Sequence, residues 1–294
     1  MKRKNKNLLF SLTYLAPFLI IFFVFTILPV VISIILSFTY YNVLEAPRFV
    51  FLDNYLSLFL NDDEFIIALK NTLVVSLITG PVGYLLSLLL AWFINDLRPA
   101  LRSAMVLIFY APSISGGVYL IWSVMFSGDT YGYFNALLNY LGLIDEPIQW
   151  TTNPTYMLPV VIIVTIWQSL GAGFLSFVAG LQNVDRSFYE AGYIEGIRNR
   201  WQELWYITLP TIKPQLMFGA VMSITGSFSA GAVSSALCGM PSTEYAAHTI
   251  INHLEDYGTI RFEMGYASAI ATILFVIMVA LNEVIQKVLS KVGN

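Results

Sequence analysis

Six stretches of this chain stay apolar for roughly 20 residues, the length a helix needs to cross the ~30 Å hydrocarbon core of a bilayer. They run from Leu12 to Tyr40, Thr72 to Ile94, Ser103 to Phe126, Tyr156 to Leu181, Gln215 to Leu237 and Ala267 to Val284. Only Glu283, at the end of the last run, brings a carboxylate inside these limits, close to the interface. A charge at the centre of a spanning helix costs about 2.5 to 3.5 kcal/mol on insertion scales. Its absence from all six runs predicts an all-α integral membrane protein with six transmembrane helices.

The polar positions between the runs are unevenly charged. The start, Met1-Lys2-Arg3-Lys4-Asn5-Lys6, is basic. The apolar stretch behind it is far longer than the roughly 7 to 15 residues of a signal-peptide core, and it is read as an uncleaved first span. With that end in the cytoplasm, twelve of the fifteen Lys and Arg residues fall inside, leaving Arg48, Lys70 and Arg261 outside, a positive-inside pattern. An even number of spans returns the C-terminus to the cytoplasm. The expected organisation is a basic cytoplasmic segment over 1–11, a first helix over 12–40 and an extracellular loop over 41–71. A core over 72–284 holds five spans and an internal loop over 184–214, and a cytoplasmic tail covers 285–294.

The outside loops are the longer ones and are acidic, and two amphipathic stretches, Tyr131–Leu141 and Tyr245–Leu254, are expected to form short helices over the membrane face. They suit a platform for an extracellular partner, or equally solvated connectors. Gly80, Gly83, Gly116, Gly117, Gly171, Gly173, Gly219 and Gly226 supply the small residues that let membrane helices approach. Pro81, Pro112 and Pro159 add kinks or broken turns, which either line a cavity or serve packing alone.

Composition narrows the function. The chain is 57% hydrophobic and only 11% charged, with a mean hydropathy of +0.71. A soluble fold of that balance has too little polar surface to cover it. A net charge of −3 argues against nucleic acid as a partner. One cysteine, Cys238, excludes an internal disulfide, and two histidines leave little for a metal site. His248 and His253, five apart in the outer loop, are expected at the surface.

The internal loop Val184–Pro214 reads as two short helices. Ser187-Phe188-Tyr189-Glu190 has capping-box spacing, which predicts a helix start, and Gly196 predicts its stop. A second amphipathic stretch, Arg200 to Tyr206, ends at Ile207-Thr208-Leu209-Pro210. A capped helix with an aromatic face suits docking onto another protein; it also suits resting on lipid headgroups.

Glu190-Ala191-Gly192, Gly196 and Ile207-Thr208-Leu209-Pro210 resemble the EAA loop of binding-protein-dependent ABC importer permeases. Phe51-Leu52-Asp53-Asn54-Tyr55, Ala68-Leu69-Lys70-Asn71-Thr72, Gly239-Met240-Pro241 and Gly265-Tyr266-Ala267-Ser268-Ala269 are similar to signatures of the carbohydrate-uptake branch. There are departures: Gly192 stands where the motif usually has a second alanine, and Met240 where a second glycine is common. Ten residues separate Gly196 from Ile207 where nine are usual.

The resemblance implies the type I ABC importer permease fold in a prokaryotic cell membrane. The implied partners are ATPase subunits, a second homologous permease, an extracellular solute-binding protein, a carbohydrate substrate and the surrounding lipid. It also implies that Glu190, Ala191, Gly192, Gly196, Ile207, Leu209 and Pro210 couple to the ATPase. The chain has no G-x-x-x-x-G-K-[ST] loop, so no cofactor is expected on it, with ATP and Mg²⁺ used by the partner.

In span four, Thr165, Gln168, Ser169 and Ala172 recur at i, i+3, i+4, i+7 and share one helix face. This stripe falls where maltose-type permeases are expected to contact sugar, and Thr225, Gly226, Phe228 and Ser229 form the corresponding stretch of span five. Trp167, Phe228 or Tyr110 would offer the aromatic face that a sugar stacks on. The other reading of these hydroxyls is bonding between helices. A secondary carrier is the alternative function, although the spans lack the buried carboxylate such carriers use. An integral-membrane enzyme would need paired carboxylates or a His cluster at span ends, which are missing from the sequence.

Overall fold

The computed structural model describes residues 13–116 and 118–290. The basic N-terminal segment, Gly117 and Lys291 therefore lie outside the described residues. In chain order the elements are α1 (Thr13–Leu36), a two-stranded antiparallel ribbon of β1 (Thr39–Tyr40) and β2 (Arg48–Phe49), α2 (Asp53–Leu60) and α3 (Asp63–Asn95). Next come α4 (Pro99–Ile114), α5 (Val118–Met125), α6 (Tyr133–Tyr140), α7 (Pro154–Gln168) and α8 (Ala172–Gln182). The chain continues with α9 (Arg186–Ile194), α10 (Arg200–Glu203) and a π turn Leu204–Thr208. It closes with α11 (Lys213–Phe228), α12 (Gly231–Cys238), α13 (Ile250–Glu255) and α14 (Met264–Leu289).

Among the described residues, five helical stretches are long and apolar enough to cross a membrane, and α4 with α5 makes a sixth if the bent pair is one span. All six predicted runs thus correspond to helical stretches. Their shapes differ from simple rods in two ways. The predicted first helix over 12–40 ends at Leu36 and gives way to β1, the predicted loop over 41–71 contains β2 and α2, and α3 begins at Asp63 rather than Thr72. Its first turns carry Asp63, Glu64 and Lys70, which an apolar-run criterion excludes although acidic residues favour a helix N-terminus. The run Ser103–Phe126 is bent by 85° between Ile114 and Val118, because hydropathy reports length and not direction.

The chain divides into two compact units. The first combines residues 1–63 with 254–275. Its α1 is apolar all round with none of its hydrophobic window buried, a surface that lipid covers. The π turn Phe23–Ile27 precedes Pro29: proline cannot donate to the carbonyl four residues back and its ring crowds it, and a widened turn relieves that crowding. Asn54 ties the end of this span by donating to the carbonyls of Ser37 at 2.8 Å and Thr39 at 2.9 Å. A Cβ at Gly265 would strike the Thr39 backbone, so only glycine lets Gly265 N reach Tyr41 O at 3.0 Å. Beside it Tyr266 donates to Asp62 at 2.7 Å.

The second unit holds 64–253 and 276–294. It has two apolar clusters, one around Trp92, Phe174, Phe177, Leu181 and Leu216, the other around Val75, Met157, Val161, Val164 and Val233. Asn71 pins the loop that follows α12: its amide lies 3.0 to 3.2 Å from the carbonyls of Tyr245, Ala246 and His248. Thr72 accepts from Ile250 N at 2.8 Å. His248 and His253, expected at the surface, are instead 2% and 0% exposed. The His253 ring packs against Phe65 and His248, because this loop folds inward under the first turns of α3 and brings its aromatic side chains with it.

Candidate functional site

Between the two apolar clusters lies a cavity of about 370 Å³. Following each helix shows why it is polar. Along α3 the sequence passes from Val75 through Thr79, Gly83 and Ser87 to Leu88, so one face turns small and hydroxylic at i, i+4, i+8. The same layer interrupts three other stretches: α4 and α5 part near Ser115, α7 and α8 at Ser169–Gly171, α11 and α12 at Ser229–Ala230. Ser113, Ser169, Gly171, Ser229 and Ala230 all line the cavity. Non-helical backbone at such depth is tolerated where it faces a cavity or is buried in protein.

Close packing around the cavity depends on glycine. A Cβ on Gly83 would fall 2.6 Å from Ser169 Oγ, and one on Gly219 would fall 2.6 Å from Phe177 Cε1. The α8–α11 pair is the most extensively engaged in the unit.

Of the residues that the sequence singled out, Thr165, Gln168, Ser169, Ala172, Gly226 and Ser229 line the cavity together. Trp167, Thr225 and Phe228 do not. Trp167 stacks edge-on against Trp122 at 5.3 Å, Thr225 donates to Val221 O in its own helix, and Phe228 borders a separate apolar groove. Tyr110 is also absent from the lining, and the aromatic side chains there are Tyr84, Tyr119 and Phe177. Successive side chains on a helix point about 100° apart, so Trp167 and Thr225 turn away from the face that Gln168 and Gly226 give to the cavity. Thr79, Ser87, Ser113 and Ser223 were missed, although the α3 spacing already put the first two on one face.

Most hydroxyls here are committed to backbone carbonyls: Ser169 to Ile166 at 2.6 Å, Ser229 to Thr225 at 2.9 Å and Ser223 to Gly80 at 2.7 Å. Thr79 and Thr165 differ. They are 2% and 6% exposed, and their Oγ1 atoms have no hydrogen-bond partner among the described residues. An unpartnered buried hydroxyl costs roughly 1 to 3 kcal/mol, which a hydroxylated ligand in the cavity would recover.

The loop Val184–Pro214 forms a second surface. Asp185, not Ser187, caps α9: its carboxylate accepts from Ser187 N at 3.0 Å. Both are good caps, but the helix starts at Arg186 and Ser187 is already inside it. The bonds from Ser187 hold the Asp185 carboxyl below its usual range. Gly196 ends the helix at φ +100°, with Gly196 N bonded to Tyr193 O and Ile197 N to Gly192 O, the Schellman pattern.

The predicted second helix starts at Arg200 and passes into the π turn Leu204–Thr208 just before Pro210. A π turn takes one more residue than an α turn, which accommodates the longer spacing between Gly196 and Ile207. The two halves are bonded to each other: Tyr189 and Thr208 share a hydrogen bond of 3.0 Å, and Tyr193 donates to Glu203 at 2.6 Å. The Glu203 hydrogen bond and charge raise the Tyr193 phenol above its ordinary range. A Cβ at Gly192 would lie 2.6 Å from Ile207 Cδ1, so the missing methyl is the space that Ile207 occupies. Arg200 anchors the loop to α3, pairing with Asp96 at 2.5 Å and lying over the Trp92 ring at 4.7 Å.

Broken membrane helices around a polar cavity, with a capped helical loop at one end, define a membrane transport subunit. Residues 83–291 match the family described as binding-protein-dependent transport system inner membrane component, and the chain belongs to that family. It is 34% identical over 280 residues to the probable ABC transporter permease protein YesP of Bacillus subtilis (strain 168), covering 93% of this chain and 88% of that one. It is 30% identical over 272 residues to the arabinooligosaccharides transport system permease protein AraP of the same organism, covering 92% and 85%. Its fold is similar, with a TM-score of 0.74 and 26% identity over 99% of this chain and 98% of the other, to a bacterial alginate ABC transporter solved in complex with an alginate pentasaccharide-bound periplasmic protein. The chain is therefore a multi-pass permease of the ABC-transporter class, and the secondary-carrier alternative is set aside.

Proposed function

We propose that this permease forms the path for an oligosaccharide delivered by an extracellular binding protein, and that a separate ATPase drives it through the Val184–Pro214 loop. The observation that carries the substrate class is the cavity, where Thr79 and Thr165 hold unpartnered hydroxyls beside Gln168 and Tyr84. Sugars match hydroxyl and amide groups by hydrogen bonding and aromatic rings by stacking. The names of AraP and of the alginate transporter support the same class.

In this reading the chain has cytoplasmic termini and binds no cofactor, while ATP and Mg²⁺ act on the partner. The ATPase pair and a second permease complete the assembly. Glu190, Ala191 and Gly192 on α9, with Gly196, Ile207, Leu209 and Pro210, form the EAA-type surface that moves with the ATPase. Tyr189, Tyr193 and Arg200 pass that movement to the rest of the unit.

Gentle detergent extraction of the tagged chain followed by mass spectrometry should recover a P-loop ATPase and a second six-span protein. In proteoliposomes of that assembly, Thr165→Val and Gln168→Ala should each raise the KM for oligosaccharide-stimulated ATP hydrolysis about fivefold, the effect of one hydrogen bond of ~1 kcal/mol. Glu190→Lys should insert normally and abolish transport. A chain that purifies alone, or cavity variants with unaltered KM and rate, would refute the proposal.

A further inference from the structure

The second unit carries another recess, an apolar groove of about 340 Å³ bounded by α3, α11 and α14. Leu77, Leu85, Ala220, Phe228, Leu281 and Leu289 form its walls. Its polar groups, of which Tyr84, Ser223 and Ser227 also border the cavity, are all committed. Ser76 donates to Leu73 O at 3.2 Å, Ser223 to Gly80 O at 2.7 Å, Ser227 to Ile224 O at 2.8 Å and Tyr84 to Leu216 O at 3.3 Å. A hydroxylated ligand finds nothing to bond here, whereas hydrocarbon does.

Length and charge identify the occupant. From Ser76 to Leu85 the groove follows α3 for about 13 Å at ~1.5 Å per residue, close to the ~15 Å depth of one leaflet's hydrocarbon. Its end at Val288 and Leu289 lies where α14 finishes and α11 begins, since Lys213 Nζ donates to Ser290 O at 2.6 Å. An ammonium has three donors, so this bond leaves Lys213 able to hold an anion as well.

We propose that the groove binds one acyl chain of an anionic glycerophospholipid whose phosphate sits at Lys213. A helix of another subunit would fill the apolar wall but make no use of the ammonium group at its end.

The test reconstitutes the whole transporter into vesicles of phosphatidylglycerol and phosphatidylcholine in equal parts, with a mid-chain diazirine on one lipid or the other. Photolabelling from phosphatidylglycerol should reach peptides spanning 76–85, 220–228 and 281–289 about fivefold more than from phosphatidylcholine. Ala220→Trp, which fills the groove, should remove most of this label. The variant Lys213→Gln, which leaves the groove intact, should bring the two lipids to equal labelling. Equal labelling in the wild-type protein, label undiminished by Ala220→Trp, or cross-linking of Ala220→Cys to a neighbouring subunit would overturn the proposal. If Ala220→Trp does not assemble, Leu281→Phe and the lysine variant decide it.

Discussion

Replacing Gly219 by alanine tests whether the α8–α11 contact sets the stability of the second unit. The new Cβ would lie 2.6 Å from Phe177 Cε1 and 3.2 Å from Cε2, with Cζ closer still. The ring has nowhere to go: Phe177 is 0% exposed and meets Tyr84 edge-on at 5.4 Å, and Tyr84 is itself bonded to Leu216 O. Overpacking of this kind costs about 1 to 3 kcal/mol, or a fall in apparent Tm of roughly 2 to 10 °C for a unit of this size. Phe177→Leu alone should cost about 1 kcal/mol by leaving a void. Combined with Gly219→Ala it should be less destabilising than the sum, because the ring that the methyl strikes is gone, giving a coupling of at least ~0.5 kcal/mol. Thermal unfolding of the purified assembly in detergent measures all four proteins. An unchanged Tm for Gly219→Ala, or additive losses in the double variant, would show that the glycine is not needed for close approach.

Three further outcomes are expected. Gly196→Ala forces a side chain into φ +100°, so amide exchange over α9 should quicken by roughly 5- to 30-fold for ~1 to 2 kcal/mol. Gly192→Ala should have the smaller effect, since only the tip of Ile207 must shift and helix propensity improves; the reverse order would refute the assignment. Asn71→Ala leaves the carbonyls of Tyr245, Ala246 and His248 without their shared donor and should destabilise by about 1 to 3 kcal/mol, read as earlier proteolysis after α12. The Asp129 carboxyl is held below its usual range first by the Ser127 hydroxyl, then by the backbone of Gly132 and Tyr131. A lowered folded-state pKa stabilises above the ordinary carboxylate value and is lost as pH falls through the lowered one. Intrinsic-rate-corrected exchange over 127–132 should therefore be flat from pH 7 to ~5 and quicken below ~4, and Asp129→Asn should abolish that dependence.

The membrane spans were legible because bilayer insertion selects long uncharged runs, and those runs are a property of single segments. The polar positions Thr165 and Gln168 were legible for a related reason: both lie within one uninterrupted helix, α7. What escaped was whatever depends on a break or a neighbour. Trp167 packs on Trp122 and Phe228 borders the apolar groove, so the aromatic lining comes from Tyr84, Tyr119 and Phe177 instead. His248 and His253 looked like surface residues because loops between spans are usually solvated; their burial under α3 is decided by Asn71 and Thr72, far away in sequence. Asp185 was overlooked as a cap because Ser187 and Glu190 fit a familiar spacing, and only the start of the hydrogen-bond ladder separates the two.

The interruptions at Ser115, Ser169–Gly171 and Ser229–Ala230 bear on the work needed to tilt the transport path. A continuous helix bent in an apolar medium would have to strain or open ladder bonds that have no water to replace them. In this protein those gaps exist before any movement begins. The half-helices on either side can act as separate levers, with the hinge already cut, so force arriving from one face goes into rotation rather than into breaking backbone.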